Sequence, residues 1–591
     1  MTDTRTAVLR RLAVVSLILG MLTACGSDPG IQAEKRDPIA IPQSALTVQG
    51  QPGTFGGTLT VALDGELSTF NPYVGSDAAT REVLHQLYAP LIGLNPVTGK
   101  ILPQEGLAQS FEANGRKVTI RLREGLSFSD GKIISADDVL YSFKVALDDD
   151  VRAPISDMLR VSGRLPDVTK VDASTVALEF SESYPAIGYV LSQMPIISAG
   201  PDPQALIDKG RYEEALNIDA TPTGIASSGP FVVSEFQKGK QIKLKYNPNY
   251  WKVDSQSLRL PYLDYIVYRF GVADDEIVKG LESNQINLSS AIDPKRFVTL
   301  GEGGATYQTV DLGVGYGTWQ LFGQLDHKRS ADKAKTGWLL NPKFREFMSR
   351  IVDRDTIVKD VFAGKAKPAF GLVTAANAAW YNEGIKKFPF DATAALTGLG
   401  GDFHVAEREG KPQLLDIVDR VVKFNLYYPK NDEAEAIQKI IVDQLAKAGV
   451  PVKSVAVESS KLLTQYIVPG KYELVLWKMD RFGPDPISYM PALMQDGTMH
   501  LYMSTPAGTL SSLDFEVTVG RLMRAQQDKV LDAERQREFN EVQKVWSEGG
   551  PVTYVVAEHV LVAHDKRLGN FQPVTTVPFA TWNSELLFFK R

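Results

Sequence analysis

VTIRLREGLSFSDGKIISADDVLYSF, residues 118–143, decides the fold, because its apolar period changes within one short stretch. Val118, Ile120 and Leu122 alternate with Thr119 and Arg121, the period-two pattern of a half-buried strand. Phe128-Ser129-Asp130-Gly131 is a turn signature. Ser135, with Asp138 three residues later, predicts a capping box with Asp in the usual Glu position. Val139, Leu140, Phe143 and Leu147 form the apolar stripe of the helix that it opens. A strand that turns into a capped helix is the unit from which α/β chains are built.

The same alternation extends outward from this stretch. Upstream, residues 58–63 read as a strand, Asn71-Pro72 as a turn and residues 78–87 as a helix. Downstream, strands are expected at 175–180, 242–246 and 265–270. In the second half, Asn341-Pro342 caps a helix whose one face carries Phe344, Phe347, Met348, Ile351 and Val352. Asn431 opens another, with Ala434, Ile437, Ile440, Ile441 and Leu445 as its stripe and Gly449 as its stop. A third is expected over 532–546, and strands over 421–428, 472–477 and 552–563 flank these helices. No fixed repeat period appears.

The chain has 591 residues, enough for two or three domains. Apolar residues at 44% and charged residues at 23% exclude wholesale disorder, and a net charge of −6 argues against nucleic-acid binding, which needs a basic face. One cysteine, Cys25, rules out a disulfide framework and a cysteine-based zinc site. Arg5, Arg10 and Arg11 precede an uncharged run, LAVVSLILGMLTA, that suits a secretory signal and is too short to span a bilayer comfortably. The run ends in Leu22-Thr23-Ala24-Cys25, which resembles the bacterial lipobox. That resemblance implies removal of residues 1–24 and lipidation of Cys25. The Pro- and Gly-rich stretch 25–54 reads as a flexible tether. The mature chain would carry a net charge of −8 and lie outside the cytoplasmic membrane, anchored by its N-terminal lipid.

Catalytic signatures are sparse. The sequence contains no His-Glu-x-x-His, no Gly-x-Ser-x-Gly and no Walker loop. Gly313, Gly315 and Gly317 sit among β-type residues and read as strand with close backbone contacts. His559 and His564, five apart in an expected strand, fall on opposite faces and make a poor metal pair. No catalytic residue, metal ligand or cofactor site is assigned.

Several segments together resemble extracellular solute-binding protein family 5, the large peptide and nickel receptors of ABC importers. They are Gly106-Leu107-Ala108 with the stretch 118–143, then Ser228-Gly229-Pro230-Phe231, Tyr246-Asn247-Pro248-Asn249-Tyr250-Trp251, Pro261-Tyr262-Leu263-Asp264, and KFREFMSRIVDR at 343–354. Taken alone, Asp130-Gly131, Asn247-Pro248 and Trp251 read as a turn, a strand exit and core packing. The resemblance implies an α/β, two-lobed periplasmic-binding-protein fold with an extra domain inserted in the first lobe. Lobe one would comprise 55–86, 199–305 and 553–591, the insertion 87–198 and lobe two 306–552. It also implies a monomeric receptor without catalysis. Such a receptor delivers an oligopeptide or peptide-like ligand, bound in the interlobe cleft, to ABC permease and ATPase subunits.

In peptide-binding members a strand ends in a tryptophan followed three residues later by an aspartate that pairs with the ligand's ammonium. Trp477 and Asp480 have that spacing. Asp485 is the competing carboxylate, and Arg481 and the loop carrying Tyr73 and Val74 are further ligand contacts to be expected. Trp319, Trp380, Tyr381 and Tyr489 are aromatic candidates for the cleft wall. Certain oligopeptide receptors carry an arginine where this chain has Leu474, which leaves open a non-peptide solute such as an oligosaccharide, nickel chelate or opine. A surface-anchored hydrolase or folding factor is the alternative from another class.

Overall fold

The computed structural model describes residues 36, 39–75, 77–200, 205, 206, 208, 209, 212, 215–219, 221–503 and 513–590. The expected signal segment, Cys25 and the tether as far as residue 35 lie outside the described residues. Among the described residues, no helix is long and apolar enough to cross a membrane.

Three sheets organise the chain. The first runs in the order Tyr307–Val314, Val556–Asp565, Leu288–Ser289, Thr58–Leu63, Tyr265–Phe270, Gln241–Tyr246 and Phe231–Gln237, with Ala366–Pro368 paired to the start of Val556–Asp565. Its centre is parallel, Thr58–Leu63 lying between Tyr265–Phe270 and Leu288–Ser289. Leu59, Val61, Ile266 and Tyr268 are fully buried there, as expected for strands covered on both faces. The second sheet runs Val452–Val457, Phe424–Pro429, Leu474–Met479, Thr318–Gly323 and Val552–Tyr554. The third, Ala108–Asn114, Lys117–Leu122, Thr175–Glu179 and Asp167–Lys170, is wholly antiparallel and belongs to the inserted stretch.

The opening stretch folds as its pattern requires. Lys117–Leu122 alternates exposed and buried residues, and Ala136–Ala146 is a helix capped by Ser135 with a complete capping box. Aspartate serves at the third position because it works twice: one carboxylate oxygen accepts from Ser135 N at 2.9 Å, the other from Ala199 N at 2.9 Å. The cap therefore ties the inserted stretch to the point where the chain returns to the first sheet. Helices Ala78–Leu87, Pro342–Arg350 and Asp432–Lys447 also form, the last two with Asn341 and Asn431 as caps.

Three expectations change. Residues 552–563 are not one strand: Val552–Tyr554 belongs to the second sheet and Val556–Asp565 to the first, with Val555 as the crossing. The other crossing lies at 315–317, ten residues beyond the expected boundary, because Tyr307–Val314 pairs along Val556–Asp565 in the first sheet. The described end of the expected tether is docked rather than loose. Arg36 donates to the carbonyls of Pro261, Tyr262 and Leu263 and to Asp264, Leu46–Thr47 pairs with Lys252–Val253, and Arg123 donates to Ser44 O at 2.9 Å. These are contacts between residues far apart in sequence, a pattern that Pro and Gly content alone does not reveal.

Candidate functional site

The two crossings place the ends of Thr318–Gly323 and Leu474–Met479 beside the first sheet, and the polar residues of the molecule's seam collect there. Asp480 follows directly on Leu474–Met479. Its carboxylate accepts from Arg81 Nη2 at 2.8 Å, and Arg81 stands on the helix Ala78–Leu87. The same nitrogen lies 3.4 Å from the Asp480 carbonyl. Both side chains are about three-quarters enclosed, at 22% and 24% exposure. Asp480 reaches the seam because Gly317 has no side chain: a Cβ there would lie 2.8 Å from Asp480 Cβ.

A second polar group lies beside it. Lys478 Nζ meets Glu558 Oε2 at 2.6 Å, linking the end of the strand Leu474–Met479 to the strand just past the Val555 crossing. Glu433, in the first turn of Asp432–Lys447, accepts from Trp319 Nε1 at 3.2 Å. Burial, and then the charge of Glu558, raise Glu433 well above the ordinary carboxylate range, with Lys478 opposing. Burial works against the Lys478 ammonium, but Glu558 and Glu433 outweigh it and hold that group above its usual value.

Arg481 is the neighbour of Asp480 and is half-buried. Burial and then the nearby Arg81 guanidinium pull it down to about 10, while Asp480 and Asp77 oppose the shift. Asp77 is the N-cap of the Arg81 helix, accepting from Thr80 N at 2.7 Å and from the Ser68 hydroxyl at 2.7 Å.

The other expected contacts divide. Trp477 is partly buried in the second sheet, opposite Gln320. Asp485 is held inside the second lobe: it accepts from Arg535 at 2.9 and 2.5 Å and from Ile487 N at 2.9 Å, capping the turn Pro486–Tyr489. Tyr73 is 2% exposed and its hydroxyl donates to Pro195 O at 2.7 Å, and Val74 packs against the core. The polar atoms of Asp485 and Tyr73, like the carboxylate of Asp480, already have partners within the chain. Trp380 and Tyr489 are core residues, Tyr489 stacked on Phe482 with centroids 4.5 Å apart; Trp319 is 2% exposed, and Tyr381 is partly buried. Leu474, 1% exposed between Gly323 and Leu426, offers nothing to a ligand. Arg81 carried no signal in the sequence, because its partner lies 399 residues away.

Residues between 87 and 198 also meet the stretch 483–498. Asp157 Oδ2 accepts from both Thr498 N and Thr498 Oγ1 at 2.8 Å, and a Cβ on Gly483 would strike the Tyr189 hydroxyl. A cavity of 170 Å³ lined by Arg345, Phe388, Trp546 and Tyr554 lies within the second lobe and shares no lining residue with the seam.

The family model described as bacterial extracellular solute-binding proteins, family 5 middle, matches residues 103–500. A probable ABC transporter-binding protein of Deinococcus radiodurans is 27% identical over 427 residues, 69% of this chain and 70% of that one. The oligopeptide-binding protein AppA of Bacillus subtilis is 24% identical over 79% of each chain. Its structure in complex with a nonapeptide superposes with a TM-score of 0.74, at 20% identity, covering 91% of this chain and all of that one. The periplasmic binding protein MelB of Agrobacterium fabrum in complex with stachyose gives a TM-score of 0.77, at 20% identity, covering 91% of this chain and 86% of that one. These likenesses show the two-lobed fold.

Proposed function

The chain belongs to the bacterial extracellular solute-binding proteins of family 5, and we propose that it is the lipid-anchored receptor of an ABC importer. In this reading it captures a peptide-like solute between its lobes, delivers it to a membrane permease and performs no chemistry of its own. The lobes are proposed to comprise 55–86, 199–314 and 556–591 for the first, with 87–198 inserted, and 318–554 for the second.

The observation that carries the peptide reading is the position of Asp480. It lies three residues after Trp477, at the seam, with its carboxylate bonded to a cation from the opposite lobe. A ligand ammonium would take the place of the Arg81 guanidinium, exchanging one charge-assisted hydrogen bond for another. Truncating such a partner typically costs about 2 to 5 kcal/mol. The expectation is that Asp480→Asn weakens free-amine peptides at least tenfold by calorimetry and leaves N-acetylated peptides unaffected. Equal affinities for wild type and variant would remove Asp480 from the site.

A non-peptide solute is the second reading, supported by the likeness to a stachyose-bound protein and by the buried Leu474. Saturable binding of an oligosaccharide with no response to a peptide library would establish it. Lipid attachment at Cys25 rests on Leu22-Thr23-Ala24-Cys25, and detergent-phase partition that persists in Cys25→Ser would refute it.

A further inference from the structure

Arg36, the first residue described, is held more closely than a spacer requires. Its Nη1 donates to Pro261 O at 2.6 Å, and its Nη2 to Tyr262 O at 3.0 Å, Leu263 O at 3.2 Å and Asp264 Oδ1 at 2.9 Å. The guanidinium also lies 4.2 Å from the ring centroid of Tyr246 and 4.7 Å from that of Phe55. Donors spread in a plane whose faces rest on aromatic rings are a fit particular to arginine. Further along, Arg259 Nη2 donates back to Ile39 O at 3.2 Å and Ala40 O at 2.6 Å, Ser44 Oγ to Glu124 O at 2.5 Å, and Val48 N to Val253 O at 2.8 Å. Gln51 and Asn570 exchange two hydrogen bonds of 2.9 Å, and a Cβ on Gly53 would lie 2.6 Å from the Tyr262 ring and 2.8 Å from that of Phe588. The chain ahead of the first sheet is therefore fastened to parts of the molecule that are far apart in sequence.

Covalent geometry turns these holds into a distance. Eleven links separate Cys25 from Arg36, and thirty separate it from Phe55. At no more than about 3.6 Å per link, the first hold lies within about 40 Å of Cys25, against about 110 Å for a body that began at Phe55. We propose that residues 36–54 form a strap that turns the first-lobe face around Arg259–Asp264 towards a lipid surface, with Arg36 as its outermost lock. The proposal rests on lipid attachment at Cys25 and deepens it: the anchor selects which face of the receptor meets the bilayer and leaves the second lobe farther away.

The test uses the lipidated full chain on vesicles of phosphatidylethanolamine and phosphatidylglycerol that carry an acceptor dye on the headgroup. Cys25 is the only cysteine of the sequence and would be occupied by lipid, so an introduced cysteine offers a single thiol for the donor dye. Leu258→Cys places it beside the strap, at a side chain 45% exposed, and Ile417→Cys on the second lobe, at one 74% exposed. Energy transfer should be at least twofold more efficient from Leu258→Cys than from Ile417→Cys. Inserting twenty Gly and Ser residues between Gly30 and Ile31 keeps every hold of the strap but lengthens the anchor to about 110 Å, and should bring the two labels to equal transfer. Arg36→Ala passes the outermost hold to Arg259 and Ser44 and should fall between. Equal transfer from the two labels on the unaltered strap would overturn the orientation. Transfer unchanged by the insertion would overturn the strap as its cause, and Arg36→Ala indistinguishable from wild type would overturn Arg36 as the lock. A chain that does not partition with the vesicles would overturn lipid attachment and the proposal with it, whereas one that partitions with equal transfer overturns the proposal alone.

Discussion

Gly317 carries more of the site than its size suggests. It lies in the first crossing, where a Cβ would come within 2.8 Å of Asp480 Cβ and 3.1 Å of its Cα. Neither neighbour is the end of a flexible side chain, so Gly317→Ala must move backbone, at a cost of about 1 to 3 kcal/mol by analogy with overpacked cores. The strain falls on the pairing of Asp480 with Arg81, so ligand affinity should drop at least tenfold, while the melting temperature should fall by only a few degrees. Calorimetry against thermal unfolding separates the two, and an affinity equal to wild type would show that Asp480 reaches the seam independently of the crossing. The sequence hinted at this position, since Gly313, Gly315 and Gly317 read as close backbone contact. It gave no hint of what approaches.

At the scale of elements, the helix Ala78–Leu87 has one exposed task and one buried liability. Arg81 faces the seam, whereas Glu82, 3% exposed, accepts from the Thr581 hydroxyl at 2.6 Å. Burial raises the Glu82 carboxyl to about 7, against the lowering effects of Thr581 and Arg81. In the unfolded chain the group ionises near 4.5. Between those values the folded state holds the proton that the unfolded state has released, so stability falls as pH rises from about 4.5 to about 7 and is level above. The loss is roughly 3 kcal/mol. Glu82→Gln should remove that slope, and unfolding in urea at pH 5 and pH 8 should show the variant gaining on wild type only at the higher pH. An identical pH dependence in both proteins would put the titration elsewhere. Local signals such as Ser135, Asn341 and Asn431 were legible because capping depends on neighbours three residues apart. The crossing at Val555 was not, because the apolar run 552–563 continues through it without a break in composition. Arg81, Arg535 and Thr498 were illegible for another reason: each acts on a residue 50 or more positions away.

At the scale of the whole molecule, we expect closure of the lobes to rest partly on contacts outside the proposed site. Asp157, in the inserted stretch, takes both donors of Thr498 in the second lobe, and burial raises its carboxyl to about 6 despite those bonds. Removing it leaves the Thr498 N–H and hydroxyl without that acceptor, a cost of about 1 to 2 kcal/mol charged only to the closed arrangement. A ligand that requires closure then binds more weakly by the factor that the closed population has lost, about 5- to 30-fold. The factor is the same for every ligand, since Asp157 discriminates nothing. Asp157→Ala should therefore enlarge the radius of gyration of the unliganded protein in small-angle scattering. It should also weaken free-amine and N-blocked peptides equally, in contrast to Asp480→Asn, which separates them. A selective loss in Asp157→Ala would mean that the inserted stretch recognises the solute, and an unchanged radius would mean that the lobes are held by the seam alone, through Arg81 with Asp480 and Lys478 with Glu558.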